Sequence, residues 1–364
     1  MEPIEGVGWR LCSVQPGEPL EIRAERLLID HLAADSVLLE VAGCGVCHTD
    51  LGFLFGGVKT RKDPPLILGH EISGRVIATG TSAEAERWRG SAVVAPAVIP
   101  CGRCRQCERG RRTACLHQAM PGNDFDGGFA THVVVPARWL CRVDESRLGT
   151  LGLWQMAVVA DAVTTPYQAI VRSGLAEGEL AVVVGCGGVG GFAVQIAAAV
   201  GAIVVAIDID PERLSRARAS NAAHTIDAAH LRPREVRDAV RACARAASIA
   251  GDGWRIFETS GTPAGQQTAF ALLTFGGSLS VVGFTPTDVP LRLSNVMAFD
   301  AEIYGNWGCD PGLYPAVLDL VLSGRVAVAP HVRGFALDRC ADVLHSAQRG
   351  EILERPVLIP SGDW

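Results

Sequence analysis

The chain has 364 residues, 48% hydrophobic and 20% charged, with a formal net charge of −6. Domains usually run to about 100–200 residues, so this length implies two, and the acidic balance argues against nucleic acid as the main partner. No uninterrupted apolar stretch reaches the roughly 20 residues of a bilayer span, and the acidic start Met1-Glu2-Pro3-Ile4-Glu5 lacks a signal-peptide core. The expected setting is therefore the cytoplasm, with no membrane partner. Twelve cysteines stay reduced there, so clustered ones read as metal ligands.

Up to roughly Val143, short apolar runs are punctuated by Gly and Pro. Ser36 to Val41, Gly74 to Ala78, Ala92 to Ala95 and Thr131 to Val135 are examples, a many-stranded, barrel-like pattern. The first chemistry-bearing stretch is Gly43-Cys44-Gly45-Val46-Cys47-His48-Thr49-Asp50. Cys47 reads as a metal ligand, and the Thr49 hydroxyl two residues on is placed to pass a proton. Gly69-His70-Glu71 supplies a second ligand in His70, and Asp161 is the candidate third. Three protein ligands leave one tetrahedral position open, the mark of a catalytic zinc.

Cys101, Cys104, Cys107 and Cys115 follow at Cx2Cx2Cx7C spacing. Four thiolates close a tetrahedron round Zn²⁺, so this second site is structural. An iron–sulfur cluster also takes four cysteines, but nothing else here suggests one-electron chemistry. The same lobe carries Arg103, Arg105, Arg109, Arg111 and Arg112 against Glu108. It reads either as a solvated basic face or as a docking patch for a phosphorylated carrier such as coenzyme A.

After Asp161 the texture changes to strand–helix alternation, the signature of a parallel sheet wrapped by helices. Expected strands are Leu180 to Val184, Ala202 to Ile207, Arg255 to Glu258 and Ser278 to Val282. Expected helices are Gly188 to Val200, Pro211 to Ala219, Arg234 to Ala247 and Gly265 to Leu273. Between the first strand and first helix lies Gly185-Cys186-Gly187-Gly188-Val189-Gly190, a GxGxxG loop that brings a pyrophosphate to a helix N-terminus. Asp208 ends the next strand, where a carboxylate takes ribose hydroxyls and repels a 2′-phosphate, favouring NAD over NADP. The alternative for Asp208 is a helix cap, a task that suits Asp210 better. Arg213 is close by and is expected on the helix surface. A helix at Tyr314 to Leu322 and a strand at Arg355 to Ile359 complete the pattern.

These residues resemble the medium-chain, zinc-dependent alcohol dehydrogenases along essentially the whole chain. The resemblance rests on Cys44 to Asp50, Gly69-His70-Glu71, the four-cysteine lobe (about 98–116) and the GxGxxG domain. It implies an α/β protein with a GroES-like β-barrel catalytic domain over 1–162 and 305–364. A Rossmann NAD-binding domain over 163–304 is inserted in it. It also implies that Cys47 and His70 bind zinc, that Glu71 approaches the metal during ligand exchange, and that Thr49 relays the alcohol proton. By the same resemblance His48 contacts cofactor pyrophosphate and Asp50 holds His70. Two departures stand out. Asp161 occupies the place of a more usual Cys or Glu, and Gly52 stands where many members end the proton relay with His. The relay then finishes on cofactor ribose, water or another side chain.

Met120 to Asp124, Gly127 to Ala137, Ala160 to Ala169, Arg292 to Asn295, Met297 to Phe299 and Gly305 to Cys309 are similar to one branch of that family. This branch, the 6-hydroxycyclohex-1-ene-1-carbonyl-CoA dehydrogenases, oxidises a ring alcohol carried as a coenzyme A thioester. The resemblance implies an alicyclic acyl-CoA partner and two zinc ions per chain. It implies a homodimer or homotetramer joined edge to edge at a strand within Val296 to Tyr304. The product enone also suggests conjugate hydride transfer to a cyclic enoyl-CoA. Tyr167, Asn306 and Trp307 read equally as pocket lining or as packing.

Overall fold

The computed structural model describes residues 2–13 and 20–360. The chain forms two compact units: 1–164 with 308–323 and 328–364, and 165–307 with 324–327. The expected boundaries were 162/163 and 304/305.

The first unit opens with a hairpin that does not stand out in the sequence. Strands β1 (Ile4–Ser13) and β2 (Leu20–Ile29) pair antiparallel over ten residues, and the short β4 (Leu66–Ile67) adds to β1. Glu21, Arg23, Glu25 and Arg26 hide the alternation, because only Ile22 and Leu27 of β2 are buried. The larger sheet is built round β3 (Ser36–Gly45), buried along nearly its whole length. On one side β3 pairs with β5 (Glu71–Thr79), which continues to β6 (Ala92–Ala95) and β8 (Cys141–Arg142). It also pairs with β7 (His132–Pro136). Leu11, Val37, Leu39, Val41, Ile72 and Phe129 fill the core between these strands.

In the second unit β9 (Leu180–Val184), β10 (Ile203–Asp208), β11 (His224–Asp227), β12 (Arg255–Glu258), β13 (Ser278–Val281) and β14 (Glu302–Gly305) form one all-parallel sheet. Its order is β11-β10-β9-β12-β13-β14, the dinucleotide-binding order with a switch point between β9 and β12. All five residues of β9 are buried, as a β-branched run covered on both faces requires. Helices Gly190–Val200, Pro211–Ala219, Pro233–Ala246 and Pro263–Ala271 connect the strands. The strand expected within Val296 to Tyr304 is β14, which starts there at Glu302 and runs on to Gly305. The helix Ser294–Ala298 and a turn through Asp300 (φ 46°) precede it.

The chain then returns to the first unit. Strands β15 (Val332–Ala336) and β16 (Arg355–Ile359) pair parallel, and β16 docks antiparallel on the end of β3 at Gly45 and Cys44. Among the described residues no helix is long and apolar enough to cross a membrane.

Candidate active site

Three chain segments converge where β3 ends and β5 begins, since Gly45 pairs with Glu71 across the two strands. Cys47 is the N-cap residue of the helix His48–Leu54. His70 stands between β5 and Gly69, whose φ of 96° and crowding by the Phe129 ring and Cys44 Sγ admit only glycine. Asp161 closes the 3-10 stretch Leu153–Ala160. Ligand atoms of Cys47, His70, Glu71 and Asp161 all lie within 4.8 Å of one another. Cys47 Sγ is 3.8 Å from Asp161 Oδ2, and His70 Nε2 is 3.6 Å from the same oxygen. Tetrahedral zinc with ordinary bond lengths places such donors about 3.3–3.5 Å apart, so the residues fit that ion within a few tenths of an ångström.

One buried carboxylate holds two of these segments. Asp50 accepts the Cys47 N–H at 2.9 Å and the Gly69 N–H at 3.2 Å, and its Oδ1 faces His70 Nδ1 at 3.5 Å. Burial alone would lower the His70 pKa. The Asp50 charge, with hydrogen bonds to Asp161, Asp50 and Cys47, instead holds the imidazolium well above its ordinary range. A divalent cation held by Cys47, His70 and Asp161 would take the place of that proton. Thr49 Oγ1 lies 3.6 Å from Cys47 Sγ, while His48 is exposed at the helix start.

Glu71 is fully buried and gripped by a residue that sequence reasoning missed. Arg355, at the start of β16, donates through Nε to Glu71 Oε2 at 3.1 Å and through its other nitrogen to Oε1. Burial pushes the Glu71 carboxyl up, and the Arg355 guanidinium pulls it back. The available signal was a lone cation opening the apolar run Arg355-Pro356-Val357-Leu358-Ile359. Nothing local names its partner.

The four lobe cysteines form the other donor group. Cys104 Sγ lies 3.7 Å from both Cys107 Sγ and Cys115 Sγ, against about 3.8 Å for the edge of a zinc–thiolate tetrahedron. Backbone N–H groups of Cys101 and His117 donate to Cys115 Sγ at 3.3 Å. The Cys107 N–H, with other backbone donors, lowers the Cys104 thiol to about 6, whereas burial pushes Cys107 up to about 12. Arg103, Arg105, Arg109 and Arg111 are exposed. Arg112 is committed elsewhere: it pairs with Asp310 at 3.1 Å and lies 5.1 Å over the Trp139 ring.

In the second unit Gly185 takes φ 90°, and a Cβ there would strike the Ser260 backbone. At Gly190 a side chain would collide with the Gly185 carbonyl. At Gly187 a Cβ would meet only the Arg213 guanidinium, at 3.7 Å. The loop through Gly187, Gly188 and Val189 therefore leaves room for a diphosphate beside the first N–H groups of the helix Gly190–Val200. Asp208 accepts from the N–H groups of Cys186 (2.6 Å), Ile209 (2.8 Å) and Asp210 (3.0 Å). The helix cap is Asp210, which accepts from Glu212 N and Arg213 N. Arg213, a cofactor-binding candidate expected on the helix surface, has a side chain 38% exposed, with Nε 3.7 Å from Asp210 and its guanidinium end facing Gly187 of the loop.

Two family profiles match the chain: the alcohol dehydrogenase GroES-like domain over residues 33–145 and the zinc-binding dehydrogenase over 188–323. The chain is 28% identical to a sorbitol dehydrogenase of Bacillus subtilis (strain 168) over 90% of each chain. A solved structure, the alcohol dehydrogenase of the hyperthermophilic archaeon Aeropyrum pernix, superposes with a TM-score of 0.82. It is 29% identical and covers 97% of this chain and 100% of that one. An alcohol dehydrogenase of Rhizobium meliloti (strain 1021) is 30% identical over 95% of this chain and 97% of its own. The chain belongs to the zinc-type alcohol dehydrogenases. It is thus an oxidoreductase acting on CH–OH groups, with a GroES-like and a Rossmann domain.

Of the residues weighed for this dehydrogenase's pocket, Asn306 is used in packing. Its amide donates to the Thr165 carbonyl at 3.0 Å and accepts from Gln168 at 3.2 Å and Arg172 at 3.4 Å. Tyr167 is half-buried and Trp307 is 51% exposed.

Proposed function

We propose that this dehydrogenase oxidises a cyclic secondary alcohol carried as a coenzyme A thioester, 6-hydroxycyclohex-1-ene-1-carbonyl-CoA, to the 6-oxo product with NAD. The observation that carries the chemistry is the gathering of Cys47, His70 and Asp161 donors within one cluster. The substrate rests on the segments that resemble the CoA-thioester branch. On this reading Cys47, His70 and Asp161 hold the catalytic zinc, and Cys101, Cys104, Cys107 and Cys115 hold the structural one. The protein works in the cytoplasm as a homodimer or homotetramer joined at the β14 edge.

Bound zinc supplies Lewis acidity toward the substrate oxygen, and bound NAD supplies the hydride acceptor. The chain's own residues do the rest. Asp50 keeps the His70 ring and the Cys47 turn in place, an outer-shell task that sets ligand orientation. Asp161 brings the same formal charge as a thiolate with a harder oxygen donor. Thr49 accepts the hydroxyl proton as it releases its own and, because Gly52 offers no side chain where a relay His is usual, that proton goes to ribose, water or another side chain. Arg355 restrains Glu71 within reach of the metal. His48 and the loop Gly185 to Gly190 bind the cofactor diphosphate, with Arg213 beside it, and Asp208 takes the adenosine ribose.

Steady-state assays with hydroxycyclohexene carbonyl-CoA and NAD test the substrate. Turnover is expected to need the CoA moiety, and NADH with a cyclic dienoyl-CoA under anoxia is expected to be consumed. Equal turnover of the free ring alcohol, or of sorbitol, would instead establish a general secondary-alcohol or polyol dehydrogenase. The relatives named alcohol and sorbitol dehydrogenase favour that second reading.

The cofactor preference has its own test. In Asp208→Asn one acceptor oxygen survives but the charge that repels a 2′-phosphate is gone. A hydrogen bond to a charged group is worth about 1.5–3 kcal/mol, so the NAD-over-NADP ratio of kcat/KM should fall roughly tenfold or more. An unchanged ratio would remove Asp208 from the ribose site.

A further inference from the structure

Asp161 has no strand or long helix to hold it. It follows a 3-10 stretch and takes φ −144°, ψ −60°, outside the helical region. The two carbonyls that bracket it are nevertheless fixed by buried hydroxyls. Tyr314, wholly buried, donates its phenol hydroxyl to the Ala160 carbonyl and accepts the Ala97 N–H at 3.3 Å. Thr164, also wholly buried, places its hydroxyl 3.4 Å from the Asp161 carbonyl. Cys309, buried in the same short segment before Tyr314, turns its thiol to the Asp310 carbonyl at 3.5 Å.

A buried phenol costs free energy unless it is hydrogen-bonded. Phenylalanine would fill this space without that cost, so the hydroxyl calls for a reason, and the peptide it holds is the one entering Asp161. We infer that Tyr314, with Thr164, is a positioning residue that fixes the Asp161 backbone and so aims its carboxylate at the donors of Cys47 and His70. The inference rests on the reading of Asp161 as a zinc ligand.

The anchor is itself secured at a distance. Tyr314 opens the helix Tyr314–Leu322. Just before it, Asp310 accepts the Gly312 N–H at 2.9 Å and pairs with Arg112 of the four-cysteine lobe. Ala97, the other partner of the phenol, lies on the chain leading into Cys101. The lobe thereby braces the segment that carries Tyr314.

Tyr314→Phe, Thr164→Val and Thr164→Ser test this in the full-length enzyme. Outer-shell partners of a metal typically affect its affinity by about 10–100-fold. Release of the catalytic ion to a chelator should therefore be about tenfold faster in Tyr314→Phe and Thr164→Val, with the lobe ion retained. In cobalt-substituted protein the visible bands of the Cys47–His70–Asp161 set should shift in those two variants. Thr164→Ser, which keeps the hydroxyl, should restore both readouts. If Tyr314→Phe does not fold, the Thr164 pair carries the test alone. Wild-type release and spectra in the folded variants would overturn the positioning role. If Asp161→Ala also left the spectrum unchanged, the ligand reading beneath it would fall too.

Discussion

Asp161→Ala is expected to empty the catalytic zinc site and lower kcat/KM by about 10³-fold. Catalytic zinc sites use three protein ligands, and this change leaves Cys47 and His70. Lewis-acid stabilisation is worth several kcal/mol, which converts to roughly three powers of ten in rate. Metal analysis should fall from about two zinc per chain to about one, because the four-cysteine set is untouched. Asp161→Cys should retain both ions, since a thiolate restores donor and charge. The pH dependence has a definite sign. Asp50, Asp161 and Cys47 hold a proton on His70 well above the ordinary imidazole range, overriding burial. That proton competes with zinc, so zinc affinity should weaken steadily as pH falls. Wild-type zinc content and rate in Asp161→Ala would remove the carboxylate from the mechanism.

Arg355→Met is expected to destabilise the first unit by about 3–5 kcal/mol, the usual cost of stripping one partner from a buried ion pair. The residue left behind, Glu71, has 0% exposure and loses both bonds from the guanidinium. At about 2–4 °C per kcal/mol the thermal midpoint should drop by roughly 10 °C. Arg355→Met with Glu71→Gln should recover much of the loss, because it removes the uncompensated charge and not merely a contact. Burial already pushes the Glu71 carboxyl up against the pull of Arg355, and removing Arg355 pushes it further. A raised carboxyl costs stability as pH climbs through its folded value. The gap between variant and wild type should therefore be widest at neutral pH and narrow as acid protonates Glu71. A gap independent of pH, with no rescue by the double change, would mean that Arg355 acts through packing alone.

Elements governed by nearest neighbours were legible. Leu180–Val184, Pro211–Ala219, Arg255–Glu258 and Tyr314–Leu322 start and stop where their patterns do, because runs of branched residues and Pro-led turns act within a few residues. The β1–β2 hairpin was hidden, since its exposed face carries charges and its buried face is thin. Within Val296 to Tyr304 the sequence did not fix where the strand starts, because an apolar run beside a strand has no period long enough to separate five helical residues from it. Asn306 was ambiguous because an amide serves a pocket or a packing network equally well, and only its partners decide.

Taken by itself, the sequence determined the donor types and every spacing short enough to act locally: the turn Cys47 to Asp50, four cysteines within fifteen residues, and the glycine loop after a buried strand. Tertiary structure decided what lies across long gaps. It set the approach of Asp161 to Cys47 over 114 residues and the grip of Arg355 on Glu71 over 284. It also turned Arg213 toward the glycine loop. Short-range order follows from backbone sterics and capping. A charge is committed to its partner only when packing removes both from water, and no local pattern encodes that event.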